Sequence, residues 1–309
     1  MNVLVLGGTG FIGRPLVHAL ADLGHDVGVF HRGRTTNQVE GCVPLLGDRN
    51  SEADLRRALS RFAPDVVVDL LARTQAEAEL AVEAMRHRPA HAIVISSIDV
   101  YEAYERLGGH GNTVSQLPLG EDAPLRTTRF PRRRPGESQP AWEHDYDKTL
   151  VEKVYQAAHQ PWTILRLPFV YGPGDYRKRL SPYAEAVARG ARRILIPHDK
   201  ADWRCTRGFV SDMARAIAAT VECEAARQKV FNVGEPDALT ELAWARAIVD
   251  VAGWHGEVAV DQARNGRCAW QQSLVVDTRR IRRIVGYQEG RSTREALAET
   301  WRALVRTAP

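Results

Sequence analysis

The stretch Val3-Leu4-Val5-Leu6-Gly7-Gly8-Thr9-Gly10-Phe11-Ile12-Gly13 opens the chain with an apolar run, a glycine turn and the start of a helical pattern. Asn2–Leu6 has the unbroken apolar character of a buried strand, and Leu16, Leu20 and Leu23 recur at helical spacing within Phe11–Leu23. In that strand–turn–helix setting each glycine has a task. Gly7 permits the tight turn, Gly10 lets the backbone approach a pyrophosphate, and Gly13 lets the helix pack close to the sheet. Thr9, Phe11 and Ile12 complete the loop. The helix N-terminus would add N–H donors and the positive end of its dipole. The expected ligand is a dinucleotide.

Strand-like and helical stretches alternate outward from this loop. Val27–His31, Val43–Leu46, Asp65–Leu71, Ala92–Ser97 and Trp162–Leu167 read as strands. Helices are expected from Ser51, a capping residue, through Arg61, over Thr74–Arg86 and over Ala141–Ala158. The alternation predicts an α/β, doubly wound parallel sheet with right-handed crossovers. Gly108–Pro140 breaks the pattern and reads as a long surface excursion near the mouth of a site. Further on, helices are expected at Pro182–Arg189, Ser211–Val221, Thr240–Val251 and Thr293–Val305. Strands are expected at Ile194–Pro197, Val230–Val233 and Leu274–Val276. The 309 residues suffice for about two domains. Residues 1–165 would form a dinucleotide-binding lobe. Residues 166–309 would form a smaller, mainly substrate-binding lobe, with residues 207–234 returning to the core.

The apolar share of 44% and charged share of 26% are those of an ordinary globular protein. No apolar run is long enough for a membrane span, and the N-terminus does not read as a secretory leader. Cys42, Cys205, Cys223 and Cys268 are scattered without a CxxC pair, which fits a reducing cytoplasm and gives no zinc site. The ten histidines show no metal-binding spacing and no GxSxG segment occurs, so neither a metal centre nor an α/β-hydrolase site is expected. The formal charge of +4 permits an anionic ligand.

The end of the second strand bears on the choice of cofactor. A site for NAD(H) usually places Asp or Glu there, on the ribose hydroxyls. Here the sequence is Phe30-His31-Arg32-Gly33-Arg34. Two guanidinium groups suit a 2′-phosphate, so NADP(H) is expected over NAD(H).

The GGTGFIG loop resembles that of the short-chain dehydrogenase/reductase superfamily, especially its extended branch of NAD-dependent epimerases and dehydratases. Matches continue in order along most of the chain: Gly47-Asp48-Arg49, Leu70-Leu71-Ala72, Ser96-Ser97-Ile98-Asp99-Val100-Tyr101, Lys148-Thr149-Leu150-Val151-Glu152, Leu165-Arg166-Leu167-Pro168, Val170-Tyr171-Gly172-Pro173-Gly174, Val210-Ser211-Asp212 and Phe231-Asn232-Val233-Gly234. The resemblance implies a Rossmann-type fold with Asp48, Leu71, Ala72 and Pro168 beside the cofactor. It implies that Ser97 holds the substrate oxygen, and that Lys148 binds the nicotinamide ribose and lowers the pKa of a neighbouring acid. It also implies a homodimer through Thr74–Arg86 and Glu143–Ala158.

Two departures stand out. The family pattern YxxxK puts the acid one helical turn before the lysine, but His144 occupies that position and Tyr146 is only two residues before Lys148. His144 taking the proton-donor role is the first reading, because imidazole titrates near neutral pH. Tyr146 reaching the site on a late-starting or distorted helix is the second, and loss of the relay the third. The second departure concerns the arginine that commonly holds a nucleotide-sugar diphosphate, seven residues before the VxD aspartate. Counting back from Asp212 reaches Cys205, with Arg204 and Arg207 nearby. Tyr171, Arg177 and Arg207 are candidates for the substrate cleft.

The expected activity is hydride transfer at a hydroxyl or ketone of a small molecule by an NADP(H)-dependent oxidoreductase or epimerase. The alternative is a non-redox cofactor sensor or an RNA-associated protein using the run Arg129-Phe130-Pro131-Arg132-Arg133-Arg134, whose plainer reading is a solvated loop or one that attracts an anionic substrate.

Overall fold

The computed structural model describes residues 1–34, 39–110, 113–134, 136–262, 266 and 268–306. The chain begins β1 (Asn2–Leu6), α1 (Gly13–Asp22), β2 (Asp26–His31), β3 (Val43–Leu46), α2 (Glu52–Phe62), β4 (Val66–Asp69), α3 (Gln75–Met85) and β5 (His91–Ser97). After α4 (Glu102–Leu107) and a long connection come α5 (Ala141–His144), α6 (Lys148–Gln156), β6 (Trp162–Leu167) and β7 (Phe169–Tyr171). Then follow α7 (Ser181–Ala188), β8 (Arg193–Pro197), α8 (His198–Ala201), β9 (Arg207–Phe209), α9 (Val210–Glu222) and β10 (Lys229–Asn232). The chain closes with α10 (Glu241–Val251), β11 (Glu257–Asp261), α11 (Arg279–Val285) and α12 (Thr293–Arg306).

Seven strands form one sheet in the order β10-β6-β5-β4-β1-β2-β3, with the described pairings all parallel. Parallel strands need crossover helices, and these cover both faces of the sheet. The apolar runs are continuous for this reason. In β1, Val3 and Val5 face the layer containing Leu16, Val17 and Leu20 of α1 and Met213 and Ile217 of α9. Leu4 and Leu6 face Leu55 and Leu59 of α2 and Met85 of α3. Burial of a Val or Leu side chain contributes about 1.5–3 kcal/mol, so these layers supply much of the driving force. The doubly wound parallel sheet is of Rossmann type, as expected. Two smaller two-stranded parallel sheets, β11-β8 and β7-β9, lie beside it.

Local signals account for several boundaries. The Ser51 side chain accepts from the Asp54 N–H at the start of α2, and Thr74 with Glu77 makes a reciprocal capping box on α3. One sequence expectation is corrected. Ala141–Ala158 is not continuous helix, because α5 ends at His144 and α6 begins at Lys148. The Asp147 carboxylate accepts from the Thr149 and Leu150 N–H groups, giving α6 its own N-cap. Arg126 holds that carboxylate at 2.7 Å from the excursion. Leu274–Val276 forms isolated bridges, Cys205 to Leu274 and Leu119 to Val276, instead of a strand of its own.

Candidate active site

The glycine loop lies at the carboxyl end of β1, next to the ends of β2 and β4. Ligands of such sheets bind at this edge. Gly7 has φ +97°, and a Cβ there would come within 2.6 Å of Leu71, which floors the turn. A Cβ on Gly13 would lie 2.4 Å from the Gly7 carbonyl oxygen. Gly10 is different: its Cβ would meet only that oxygen, at 3.5 Å, and the residue is exposed. Ile12 gives α1 no side-chain cap, and the first turn has no acidic residue. The cradle therefore fits a pyrophosphate by shape and polarity. Thr9, Phe11 and Ile12 are partly exposed around it. The Phe11 ring meets Tyr176 edge-on at 6.2 Å, and Arg177 stands over the Tyr176 ring, so the loop after β7 covers the cradle.

Arg32 and Arg34 are exposed beyond β2, and no carboxylate of the described residues pairs with either. Asp48 is exposed at the turn into α2, where its side chain accepts from the Asn50 N–H. Pro168 links β6 to β7.

Ser97 ends β5 at the same sheet edge and keeps part of its surface open, while its Oγ accepts from the Asp99 N–H at 3.2 Å. Lys148 is buried at the first turn of α6, its Nζ donating to the Ala72 and Ile95 carbonyls at 2.5 and 2.6 Å. Burial lowers its pKa to about 8, against the opposing pull of Asp69 and Asp99. Ser96 and Arg166 both bind Glu152, tying β5 and β6 to α6 behind the site.

The late start of α6 decides where the two candidate proton donors stand. His144 is exposed at the end of α5, its Nδ1 2.7 Å from Asp145, so it is not on the Lys148 helix. Tyr146 is buried, and its hydroxyl donates to Asp99 Oδ2 at 2.6 Å. Burial, and then the Asp99 charge, push its pKa well above the usual phenol value. Asp99 is itself buried, and its Oδ1 has no hydrogen-bond partner among the described residues. The Arg132 guanidinium stacks 3.6 Å from the Tyr146 ring centroid and lies 3.7 Å from Asp99 Oδ2. Asp99 was not singled out by sequence reasoning. Its signal is a carboxylate two residues after Ser97 in a segment otherwise made of hydroxyls and apolar side chains.

The excursion is strapped to the start of α6. Glu105 accepts from the Thr127 and Thr128 N–H groups, and Arg129 donates to Thr149. Arg133 bonds Asp145 at 3.2 Å and Arg134 bonds Glu143 at 3.3 Å. The basic run is thus largely engaged within the protein.

The substrate candidates divide. Arg177 is exposed beside the cradle. Tyr171 lies in the core instead of a cleft, because it packs on Phe209 and Trp244 and its hydroxyl donates to Glu235 at 2.8 Å. Arg207 is buried against Glu241 at 2.7 Å and the Trp244 ring, and that pairing withdraws it from a substrate-contact role. Cys205 is buried too, and desolvation pushes its thiol up to about 12.

Residues 3–234 match the model of a family described as NAD dependent epimerase/dehydratase. An Arabidopsis thaliana protein, the chloroplast stem-loop binding protein of 41 kDa b, is 26% identical over 267 residues, covering 82% of this chain and 64% of its own length. A 3-diazoavenalumate denitrifying reductase from Streptomyces sp is 30% identical over 247 residues, covering 73% of each chain. In structure, the Thermus thermophilus UDP-glucose 4-epimerase complex with NAD superposes with a TM-score of 0.72 and 21% identity over 100% of both chains.

Proposed function

From its membership of the NAD-dependent epimerase/dehydratase family, as an enzyme of the extended short-chain dehydrogenase/reductase type, we propose that this chain is an NADP(H)-dependent oxidoreductase or epimerase acting on a hydroxyl or ketone of a small molecule. The observation that carries the reading is the convergence of Ser97, Lys148 and the glycine cradle on one edge of the parallel sheet. A bound nicotinamide would supply the hydride chemistry. Gly7, Gly10 and Gly13 would hold the backbone against the pyrophosphate, and the exposed Arg32 and Arg34 would serve as donors to a 2′-phosphate. The floor at Leu71 and the neighbouring Asp48, Ala72 and Pro168 shape the rest of the dinucleotide groove.

Ser97 holds the substrate oxygen, on which negative charge develops during reduction. Lys148 supplies positive charge beneath it. The proton is handled by the Asp99–Tyr146 pair, with Asp99 Oδ1, buried and without a hydrogen-bond partner among the described residues, left to serve it. Residues 1–165 then act as the cofactor lobe and 166–309 as most of the substrate lobe. α3 and α6, packed side by side, form the face for a homodimer.

The test is direct binding and turnover. NADPH should bind about tenfold or more tightly than NADH, and Arg32→Ser with Arg34→Ser should remove that difference. Ser97→Ala and Lys148→Met should abolish NADPH consumption against a panel of ketones. Tighter binding of NADH, or of neither cofactor, overturns the reading.

A further inference from the structure

Arg132 differs from the other arginines of its strap. Arg126, Arg129, Arg133 and Arg134 each donate a side-chain hydrogen bond to an acceptor in the protein. The Arg132 guanidinium has none among the described residues. It is 28% exposed, stacked on Tyr146 and 3.7 Å from Asp99, beyond the 2.7–2.9 Å typical of a charge-assisted hydrogen bond. A half-buried guanidinium with its donors unused is suited to an incoming anion, and a carboxylate matches its fork in two places.

The apolar side of the same region is aromatic. Phe169 follows Pro168 and meets Trp203 edge-on at 6.2 Å, and Trp203 meets Trp270 at 5.2 Å. Tyr104 packs in this cluster and joins it to the polar end. Ile98 and Val100, the residues on either side of Asp99, pack in the same cluster, and Asp99 is the carboxylate that lies 3.7 Å from Arg132. Phe169, Tyr104 and Trp270 are only partly buried; Arg179 stands over the Phe169 ring and Lys200 over the Trp270 ring, and the aromatic surface that stays open is suited to a flat ring.

The arginine that commonly holds a nucleotide-sugar diphosphate is missing here. Cys205, 1% exposed, fills the family's arginine position and packs into the aromatic cluster. Arg207 is held by Glu241 and by the Cys205 and Leu239 carbonyls. Arg204 is exposed, on the opposite side of this extended segment from Cys205.

We propose that the substrate is a small planar carboxylic acid, its carboxylate on Arg132 and its ring on the Phe169–Trp203–Trp270 wall, and not a nucleoside diphosphate sugar. This assignment rests on the oxidoreductase reading above and adds the substrate class to it.

The experiment is calorimetric titration of protein saturated with NADP+, using 4-hydroxycinnamate, its uncharged methyl ester and UDP-glucose as probes. The acid should bind at least about tenfold more tightly than the ester. Arg132→Gln should erase that difference, Arg132→Lys should restore part of it, and Trp270→Ala should weaken acid and ester alike. Equal binding of acid and ester, tighter binding of UDP-glucose, or no binding of the acid overturns the substrate class. NADP+ is titrated first into every variant. Loss of that binding in the parent protein overturns the oxidoreductase reading, whereas intact cofactor binding with failed acid binding overturns the substrate class alone.

Discussion

The Tyr146 hydroxyl donates to Asp99 Oδ2 at 2.6 Å, joining a residue just before α6 to the segment just after β5. The other carboxylate oxygen stays buried without a partner among the described residues. On the proposed function, the pair would place an acid–base group near Ser97 without the usual helical YxxxK spacing.

Asp99→Asn and Tyr146→Phe should each lower kcat by about a hundredfold or more, the scale of general acid–base catalysis. His144→Phe should change it by less than about twofold, because that ring is exposed and paired with Asp145. Steady-state kinetics on one ketone substrate decide this. A loss at His144 equal to that at Tyr146 returns the proton to the histidine.

Gly10→Ala and Gly13→Ala should fail in different ways. At Gly13 the added carbon would lie 2.4 Å from a backbone oxygen, so thermal unfolding should drop sharply. At Gly10 it would meet protein only at 3.5 Å, so the free protein should keep its Tm while dinucleotide binding weakens about tenfold or more. Parallel thermal melts with and without NADPH separate the two effects.

Arg126→Ala should destabilise the protein by about 3 kcal/mol, because it removes the buried cation bonded to Asp147 and leaves only the more distant Arg129, at 4.0 Å, to offset that charge. Urea unfolding reads the loss. Limited proteolysis should cut first within 126–134, where the strap is released.

Glu235 carries a pH signature. Burial raises its pKa to about 7, so between the ordinary carboxyl value of 4.5 and about 7 the folded state binds more protons than the unfolded chain. Stability from this group is therefore full below the lower value and falls as pH rises towards the upper one. Glu235→Gln keeps an acceptor for Tyr171 but cannot ionise. Relative to the parent, its Tm should rise by a few degrees between pH 5 and pH 8, on the order of 1–3 kcal/mol. A constant Tm difference across that range rejects the assignment.

RNA offers a separate check on the basic strap. Arg133 and Arg134 already pair with Asp145 and Glu143. Replacing both with Gln should change oligonucleotide affinity by less than about twofold at low salt, since few phosphate contacts are available to lose. A large, salt-sensitive loss would favour nucleic-acid binding.

Much of the sheet could be read from the chain because its signals are local. Val3–Leu6, Val66–Val68 and Ala92–Ile95 are continuous apolar runs for strands covered on both faces, and Ser51 and Thr74 announce their helices. The break before Lys148 could not be read that way. It depends on Asp147 capping α6 while Arg126, 21 residues earlier, holds the same carboxylate. The placement of Tyr146 against Asp99, 47 residues apart, is equally non-local. The burial of Tyr171 and Arg207 follows from partners, Glu235 and Glu241, that no spacing rule connects to them.

Lys148 gives the free protein a property of its own. Two of its three ammonium hydrogens already rest on main-chain oxygens of the loop after β4 and of β5. A ribose arriving at this lysine either takes the remaining hydrogen or trades places with a carbonyl. The first leaves the parked ammonium where it is, and the second loosens a brace between neighbouring strands. On the proposed cofactor role, affinity at this residue would measure an exchange between two sets of oxygens, with the backbone carbonyls already holding the ammonium in place.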